Sequence, residues 1–117
     1  MGTHKELEIW KKSIEIVIKI YKTTNRFPSE EKYALSSQLR RAAVSVPSNI
    51  AEGASRKSKK ENIQFLYIAL GSISEIDTQL IISEHLKYGN CNILLNDVNH
   101  LKAMLIKYIN YLKNLNG

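Results

Sequence analysis

The sequence predicts an all-α fold, an antiparallel up-down-up-down four-helix bundle that forms a single domain over residues 1–117. Three observations support this prediction. The chain has the length of one domain. Its 44% hydrophobic and 24% charged residues are typical of a globular protein. Its apolar residues recur at helical spacing in four segments, and the short connections between these segments favour antiparallel neighbours.

The first helix is predicted from an apolar stripe with alternating steps of three and four residues. The stripe contains Leu7, Trp10, Ile14, Val17 and Tyr21. Phe27-Pro28 is expected to end this helix, because the residue before a proline is pushed out of the helical region. Ser29-Glu30-Glu31 then provides a cap and acidic side chains for the start of a second helix.

The second helix is predicted from an apolar stripe that continues through a proline. The stripe contains Leu35, Leu39, Ala42, Val46 and Ile50. Pro47 removes one backbone donor and clashes with the preceding turn, so we expect a kink near Pro47. The apolar stripe keeps its helical spacing on both sides of Pro47, which favours a kink over a break. The amide of Asn49 is expected to satisfy a backbone group freed by the kink. Gly53 and the run Ala54-Ser55-Arg56-Lys57 are expected to end the helix.

A capping box, Ser58-Lys59-Lys60-Glu61, predicts the start of the third helix. Its stripe contains Ile63, Leu66, Ala69, Leu70, Ile73, Ile76 and Leu80, widened by Phe65, Tyr67, Ile68, Ile81 and Ile82. Since a helix in a four-helix bundle normally keeps one exposed face, this width predicts a subunit interface. Gly89 is expected to terminate the helix in a left-handed conformation. The fourth helix repeats Leu94, Val98, Leu101, Leu105, Tyr108, Leu112 and Leu115 at heptad spacing.

Positive charge is concentrated in one stretch of the chain. The whole chain has 17 Lys and Arg against 11 Asp and Glu, a net charge of +6. Between positions 40 and 60, six cations face a single acid, Glu52, which leaves six minus one, or +5. Such a cluster predicts salt-dependent binding to the phosphates of RNA or DNA with little sequence discrimination. The alternative interpretation is a solvated segment that only aids solubility.

The candidate nucleic-acid-binding residues are Arg40, Arg56, Lys57, Lys59 and Lys60. Arg41 follows Arg40 on a helix and therefore points about 100° away from it. We expect Arg41 to have a structural role, paired with Glu52, with Glu75 or with a neighbouring subunit.

Three tyrosines, Tyr67, Tyr108 and Tyr111, have the aromatic rings that stack on unpaired bases. At helical spacing, however, tyrosines are more often core or interface residues, and that is the interpretation preferred here.

The sequence offers no catalytic or cofactor site. The three histidines are scattered, Cys91 is the only cysteine, and no glycine-rich phosphate loop is present. We therefore expect a protein that is not an enzyme and binds no metal or cofactor. The longest apolar runs are far below the roughly 20 residues that span a bilayer, and the polar start lacks a signal peptide, so a cytoplasmic protein without a membrane partner is predicted.

The segment from Gln38 to Gly53 has the sequence QLRRAAVSVPSNIAEG. It resembles the signature of the bacterial four-helix-bundle proteins that are encoded by intervening sequences in 23S ribosomal RNA genes. Trp10, Phe27-Pro28 and Phe65-Leu66 are similar to that family as well. The structural-motif residues of the segment are Arg41, Pro47, Asn49, Glu52 and Gly53.

This resemblance implies a bundle that assembles into a ring-like homopentamer, similar to the accessory variability protein of diversity-generating retroelements, which binds nucleic acid and a reverse transcriptase. Two functions therefore remain open. The preferred one is an oligomeric, non-catalytic protein that binds nucleic acid, RNA foremost, through its phosphate backbone. The alternative is a protein-interaction scaffold that docks a partner such as a polymerase or reverse transcriptase without contacting nucleic acid.

Overall fold

The computed structural model describes residues 3–115 as a bundle of four helices, 49 × 21 × 20 Å, without a strand in that part of the chain. The helices are α1 (Glu8–Thr24), α2 (Leu35–Ala54), α3 (Lys59–His85) and α4 (Asn92–Lys113). Consecutive helices pack against one another and α1 also packs against α4, so α1 and α3 lie on opposite corners. The predicted four-helix bundle is confirmed.

The core lies along the bundle axis, where the apolar stripes of the four helices meet. The stripes predicted for α2, α3 and α4 are the ones that become buried, including Leu39, Ile73 and Leu105, each fully inaccessible to solvent. One contiguous core of this kind is what removes apolar surface from water in a domain of this size.

The stripe predicted for α1 has the wrong phase. Ile9, Ile16 and Ile20 are the buried apolar residues of this helix, whereas Tyr21 is 40% exposed. The prediction missed this phase because Ser13 and Thr24 interrupt the buried stripe. Their hydroxyls donate to the helix backbone, and a hydroxyl satisfied in this way can be buried at low cost.

The start of α2 lies later in the chain than the predicted cap. The segment Ser29–Glu31 forms a 3₁₀ turn, and the α-helix begins at Leu35. Glu31 accepts a hydrogen bond from the Tyr88 hydroxyl at 2.5 Å, which fixes the turn to the connection between α3 and α4. This hydrogen bond raises the pKa of Tyr88.

Pro47 does not break α2, which continues as one element to Ala54. Proline has no N–H to donate to the preceding turn. The carbonyl that loses its donor is that of Ala43, four residues earlier. Two side chains donate to the next carbonyls instead, Ser48 to Val44 and Asn49 to Ser45, both at 2.8 Å, so Asn49 does not satisfy the freed carbonyl as expected.

The start of α3 has the serine half of the predicted capping box, in which the Ser58 hydroxyl accepts from the Glu61 N–H at 3.1 Å; the Glu61 carboxylate accepts from that same hydroxyl. Its end differs from the prediction. Lys87, with φ of 64°, takes the left-handed conformation that was expected at Gly89. The Tyr88 N–H then donates back to the Ser83 carbonyl at 3.0 Å, which closes the last turn.

The apolar arc of α3 is only partly used inside the bundle. Four apolar residues on its outer face, Tyr67, Ile68, Ile81 and Ile82, are 41–53% exposed. By length and composition alone, α3 is also apolar enough to cross a membrane, a criterion that the central helix of a helical bundle meets as well. Here its opposite face packs against α2 and α4.

Candidate nucleic-acid interface

The connection between α2 and α3 carries most of the candidate binding residues. It lies at the end of the bundle where α1 begins and α4 ends, because neighbouring helices are antiparallel. We call this the basic end and define it by Arg56, Lys57, Lys59 and Lys60. These four cations follow one another within five positions, so folding keeps them together.

Arg56 is held in place at the basic end. Its Nη2 donates to Oε2 of Glu52 at 2.8 Å, one helical turn earlier, and its guanidinium lies 4.8 Å from the centre of the Phe65 ring. The side chain is still 40% exposed. Both contacts orient the guanidinium while leaving it accessible from solvent.

Lys59 is half-buried and its Nζ donates to the backbone carbonyl of Leu115 at 2.5 Å. A cation at this position satisfies a carbonyl at the C-terminal end of α4. Lys57 and Lys60 are exposed, and neither forms an ion pair within residues 3–115. These two side chains are therefore the most available to an external anion.

The structure does not bring Arg40 to the basic end. Its Nε donates to Oγ1 of Thr24 and its Nη2 to Oδ1 of Asn25, both at 2.8 Å. The guanidinium also lies 4.7 Å from the centre of the Tyr21 ring, so Arg40 fastens the end of α1 to α2. Fourteen residues of helix separate it from the end of α2 at Ala54, a distance of about 21 Å along the helix axis. The six cations between positions 40 and 60 therefore do not share one surface.

Arg41 is exposed and forms no ion pair with Glu52 or Glu75 in the described part of the chain. Glu52 pairs with Arg56 instead. Of the three partners expected for Arg41, a neighbouring subunit is the one that stays a prediction.

Gly53 has a role that depends on its missing side chain. A Cβ atom at this position would lie 2.7 Å from Oδ1 of Asn62 and 3.0 Å from both the Asn62 carbonyl oxygen and the Phe65 Cβ. Glycine therefore allows the end of α2 to approach the first turns of α3 closely. The connection that carries the basic residues therefore begins where α2 and α3 are in close contact.

Sequence reasoning missed a cleft at the basic end. A cavity of about 470 Å³ lies between the start of α1 and the last turns of α4. A second cavity of about 380 Å³ lies beside it and is lined by Thr3, Ser55 and Asn62. Leu7 and Tyr108 line both cavities, so the two are neighbours at this end of the bundle, and we refer to the pair as the groove. Only the fold brings these distant segments together.

Aromatic side chains form one wall of the first cavity. The rings of Tyr108 and Tyr111 stack with their centres 6.1 Å apart, and Tyr111 is 57% exposed. Burial raises the pKa of the Tyr108 hydroxyl. The third candidate tyrosine, Tyr67, lies elsewhere, because its hydroxyl accepts a hydrogen bond from Lys113 on the α3 side of α4. The signal in the sequence was the spacing of three between Tyr108 and Tyr111.

Other reactive groups are not assembled into a site. Within residues 3–115, no three His, Cys, Asp or Glu side chains lie close enough to hold a metal ion. The Cys91 thiol is buried, and burial raises its pKa, which keeps it protonated and unreactive.

Fold and interface together define a small helical-bundle protein with one basic, grooved end. Comparison with protein families gives its particular relationship. The family model for the 23S rRNA-intervening sequence protein matches residues 5–107. The chain belongs to this family, and the resemblance noted over residues 38–53 is confirmed at that level. The likeness to the accessory variability protein of retroelements stays a prediction.

A solved structure supports the same relationship. The chain is 26% identical to a protein of unknown function from the S23 ribosomal protein family of Bacteroides thetaiotaomicron VPI-5482. The alignment covers 86% of this chain and 97% of the other, with a TM-score of 0.80. A search of curated proteins finds no match.

Proposed function

We propose that this protein is a non-catalytic, oligomeric nucleic-acid-binding protein that holds the phosphate backbone of RNA with its basic end. One observation carries the proposal: Lys57 and Lys60 are exposed at the start of α3 and have no acidic partner within residues 3–115. Lysines that neutralise phosphates release the counterions condensed on the nucleic acid, and this gives binding that does not depend on base sequence.

The local electrostatics of the basic end support an anionic partner. The first backbone N–H groups of α3 have no acceptor within the helix, and the helix dipole makes this end positive. Lys60 adds positive charge where it is unfavourable, whereas the charge of Lys59 is directed to the carbonyl of Leu115 beyond α4. The carboxylate of Glu61 accepts a hydrogen bond from the Ser58 hydroxyl and neutralises only part of this charge. A bound phosphate would relieve the remaining repulsion.

Oligomerisation is part of the proposal and is supported by two separate apolar surfaces. The outer face of α3 exposes Ile68, Ile81 and Ile82. A groove of about 350 Å³ between α1 and α2 is lined by Trp10, Val17 and other apolar side chains. Because α1 and α3 lie on opposite corners of the bundle, the two surfaces face different directions.

Contact between two different surfaces is heterologous, and a heterologous contact that closes forms a ring. We propose a cyclic homo-oligomer on this basis and five members on the basis of the family resemblance. A ring repeats the basic end once per subunit, so weak phosphate contacts become stronger through avidity.

The same exposed isoleucines favour the alternative function, a scaffold that docks a protein such as a polymerase or reverse transcriptase. In that case the lysines of the basic end would contribute only to solubility. The two functions differ in whether the protein, free of any partner, binds nucleic acid.

An equilibrium titration separates them. Fluorescently labelled RNA and DNA strands of one sequence are titrated at fixed salt with the wild type, with Lys57→Ala/Lys60→Ala and with Lys22→Ala/Lys102→Ala. The last variant loses two exposed lysines outside the basic end and so matches the charge change. We expect RNA binding to weaken at least tenfold for the first variant and little for the second. Equal effects, or no binding by the wild type, contradict the proposal.

A further inference from the structure

We infer that the groove at the basic end contains a slot for an unpaired nucleobase, so that the protein selects single-stranded over double-stranded RNA. This inference rests on the proposed function and specifies the form of nucleic acid that it binds. It is carried by the cavity beside the stacked tyrosines and by the second, neighbouring cavity, whose lining residue Ser55 directly precedes Arg56 and Lys57.

The slot has the size and the lining chemistry of a site for a flat apolar group. Its volume of about 470 Å³ falls within the range of roughly 300–1,000 Å³ found for sites of drug-sized ligands. Leu7, Ile9 and Met104 line it together with Tyr108 and Tyr111. Because Tyr111 is 57% exposed, its ring is available to a base entering from solvent.

Two charged residues of the slot, Lys107 and Glu8, set the orientation of the ligand. Lys107 can pair with a phosphate. Glu8 would repel a phosphate but can accept a hydrogen bond from the amino group of a base. The base edge is therefore expected to face α1 and the backbone to pass on the side of Lys107.

The second cavity continues the path away from the slot. Its side chains include the hydroxyls of Thr3 and Ser55 and the amide of Asn62, which suit the sugar and phosphate groups of a strand. Ser55 is followed directly by Arg56 and Lys57. An aromatic slot, a polar cleft and a cationic segment thus follow one another across the end of the bundle.

This order of surfaces favours a nucleic-acid strand over a peptide. An apolar peptide side chain would fill the slot but leave the adjacent cations unneutralised. A single strand has both a flat base and an anionic backbone at each position. In a duplex the bases are stacked inside, so a duplex can use the cations but cannot fill the slot.

The test uses fluorescence anisotropy with three labelled RNA probes of equal length: a single strand, the same strand with abasic positions, and a duplex. Tyr111→Ala is expected to weaken binding of the single strand about tenfold, the order that stacking of one base contributes. Binding of the abasic strand and the duplex should not change. Tyr111→Phe, which keeps the ring, should bind the single strand like the wild type.

Tyr33→Ala is the matched control, since Tyr33 is 88% exposed and lies at the opposite end of the bundle. It should leave all three affinities unchanged. If Tyr111→Ala binds the single strand normally, or weakens all three probes alike, the slot is wrong. A failure of the proposed function gives a different result. In that case the Lys57→Ala/Lys60→Ala variant binds all three probes as tightly as the wild type does. A lower oligomer mass in Tyr111→Ala with RNA affinity unchanged would also overturn the inference.

Discussion

At the scale of single residues, Gly53 gives the sharpest prediction of stability. Gly53→Ala should lower the free energy of unfolding by about 1–3 kcal/mol, because the new methyl group would push α2 away from the backbone carbonyl of Asn62. Denaturant unfolding with a far-ultraviolet circular dichroism signal measures the change.

Gly71→Ala is the control for this substitution. Nothing lies within 4 Å of a Cβ built at Gly71, which is an exposed position in α3. The change should raise stability by about 0.5–1 kcal/mol, since alanine is the better helix former. If both glycine variants shift stability in the same direction, the close approach at Gly53 is not what requires glycine.

Asp97 predicts a dependence of stability on pH. Its carboxylate accepts a hydrogen bond from Lys19 at 2.7 Å, which is the main cause that lowers the pKa of Asp97 below the ordinary value of 3.8; Lys12 adds to the effect. A carboxyl with a lowered pKa in the folded state stabilises the protein above its unfolded pKa. That stability is lost as pH falls through the folded pKa.

Asp97→Asn should therefore cost less than about 1 kcal/mol at pH 7, because the partner Lys19 is largely exposed and solvent screens the pair. Its difference from the wild type should disappear in acid, below the lowered pKa. Thermal unfolding between pH 7 and pH 2 measures this. A difference that persists unchanged to the lowest pH would contradict the assigned role of the carboxylate.

At the scale of the helices, the N-terminal cap of α3 links stability to the site. Ser58→Ala removes the acceptor for the Glu61 N–H and should cost about 1 kcal/mol. Hydrogen exchange should become faster in the first turn of α3, and RNA affinity should fall with it because Lys59 and Lys60 lie in that turn. Ser74→Ala, at an exposed position within the same helix, is the control and should change neither the hydrogen exchange of that turn nor the RNA affinity. If the first turn of α3 exchanges at the same rate in the two variants, the assigned role of the cap is wrong.

Helix positions were largely predictable from the sequence because apolar periodicity reports on burial directly. The stripes of α2, α3 and α4 are regular and become buried, except that Leu115 lies beyond the end of α4 and is 42% exposed. The phase of α1 was missed because polar Ser13 and Thr24 lie in its buried stripe, bonded to their own backbone. The left-handed residue at the end of α3 was assigned to Gly89 by its propensity, but the chain reverses at Lys87. Propensity is a weaker guide than periodicity.

At the scale of the whole molecule, the sequence overestimated the size of the basic cluster and missed the groove. Arg40 lies near Arg56 along the chain, but the helix between Arg40 and the start of the basic connection is about 21 Å long. The groove joins Leu7 to Tyr108 and Ser55, which are far apart in the sequence. No local pattern reports such a juxtaposition, so only the packing of the helices shows it.

Assembly gives a further prediction at this scale. Ile82→Glu places a charge on the outer face of α3 and should reduce the mass measured by light scattering from that of a ring toward the 13.4 kDa of one chain. Ile93→Glu is the control, since Ile93 is 80% exposed at the start of α4, outside both proposed contact surfaces. A wild type that is monomeric at micromolar concentration, or an Ile82→Glu variant that assembles normally, would rule out α3 as the interface.

The central claim, that the basic end binds phosphates, is tested most directly by the salt dependence of RNA affinity. The logarithm of the association constant should fall linearly with the logarithm of the salt concentration. For Lys57→Ala/Lys60→Ala the slope should become shallower by about 0.7–0.9 for each phosphate that the variant no longer neutralises. A wild-type affinity that is independent of salt, or an unchanged slope in the variant, would contradict the account.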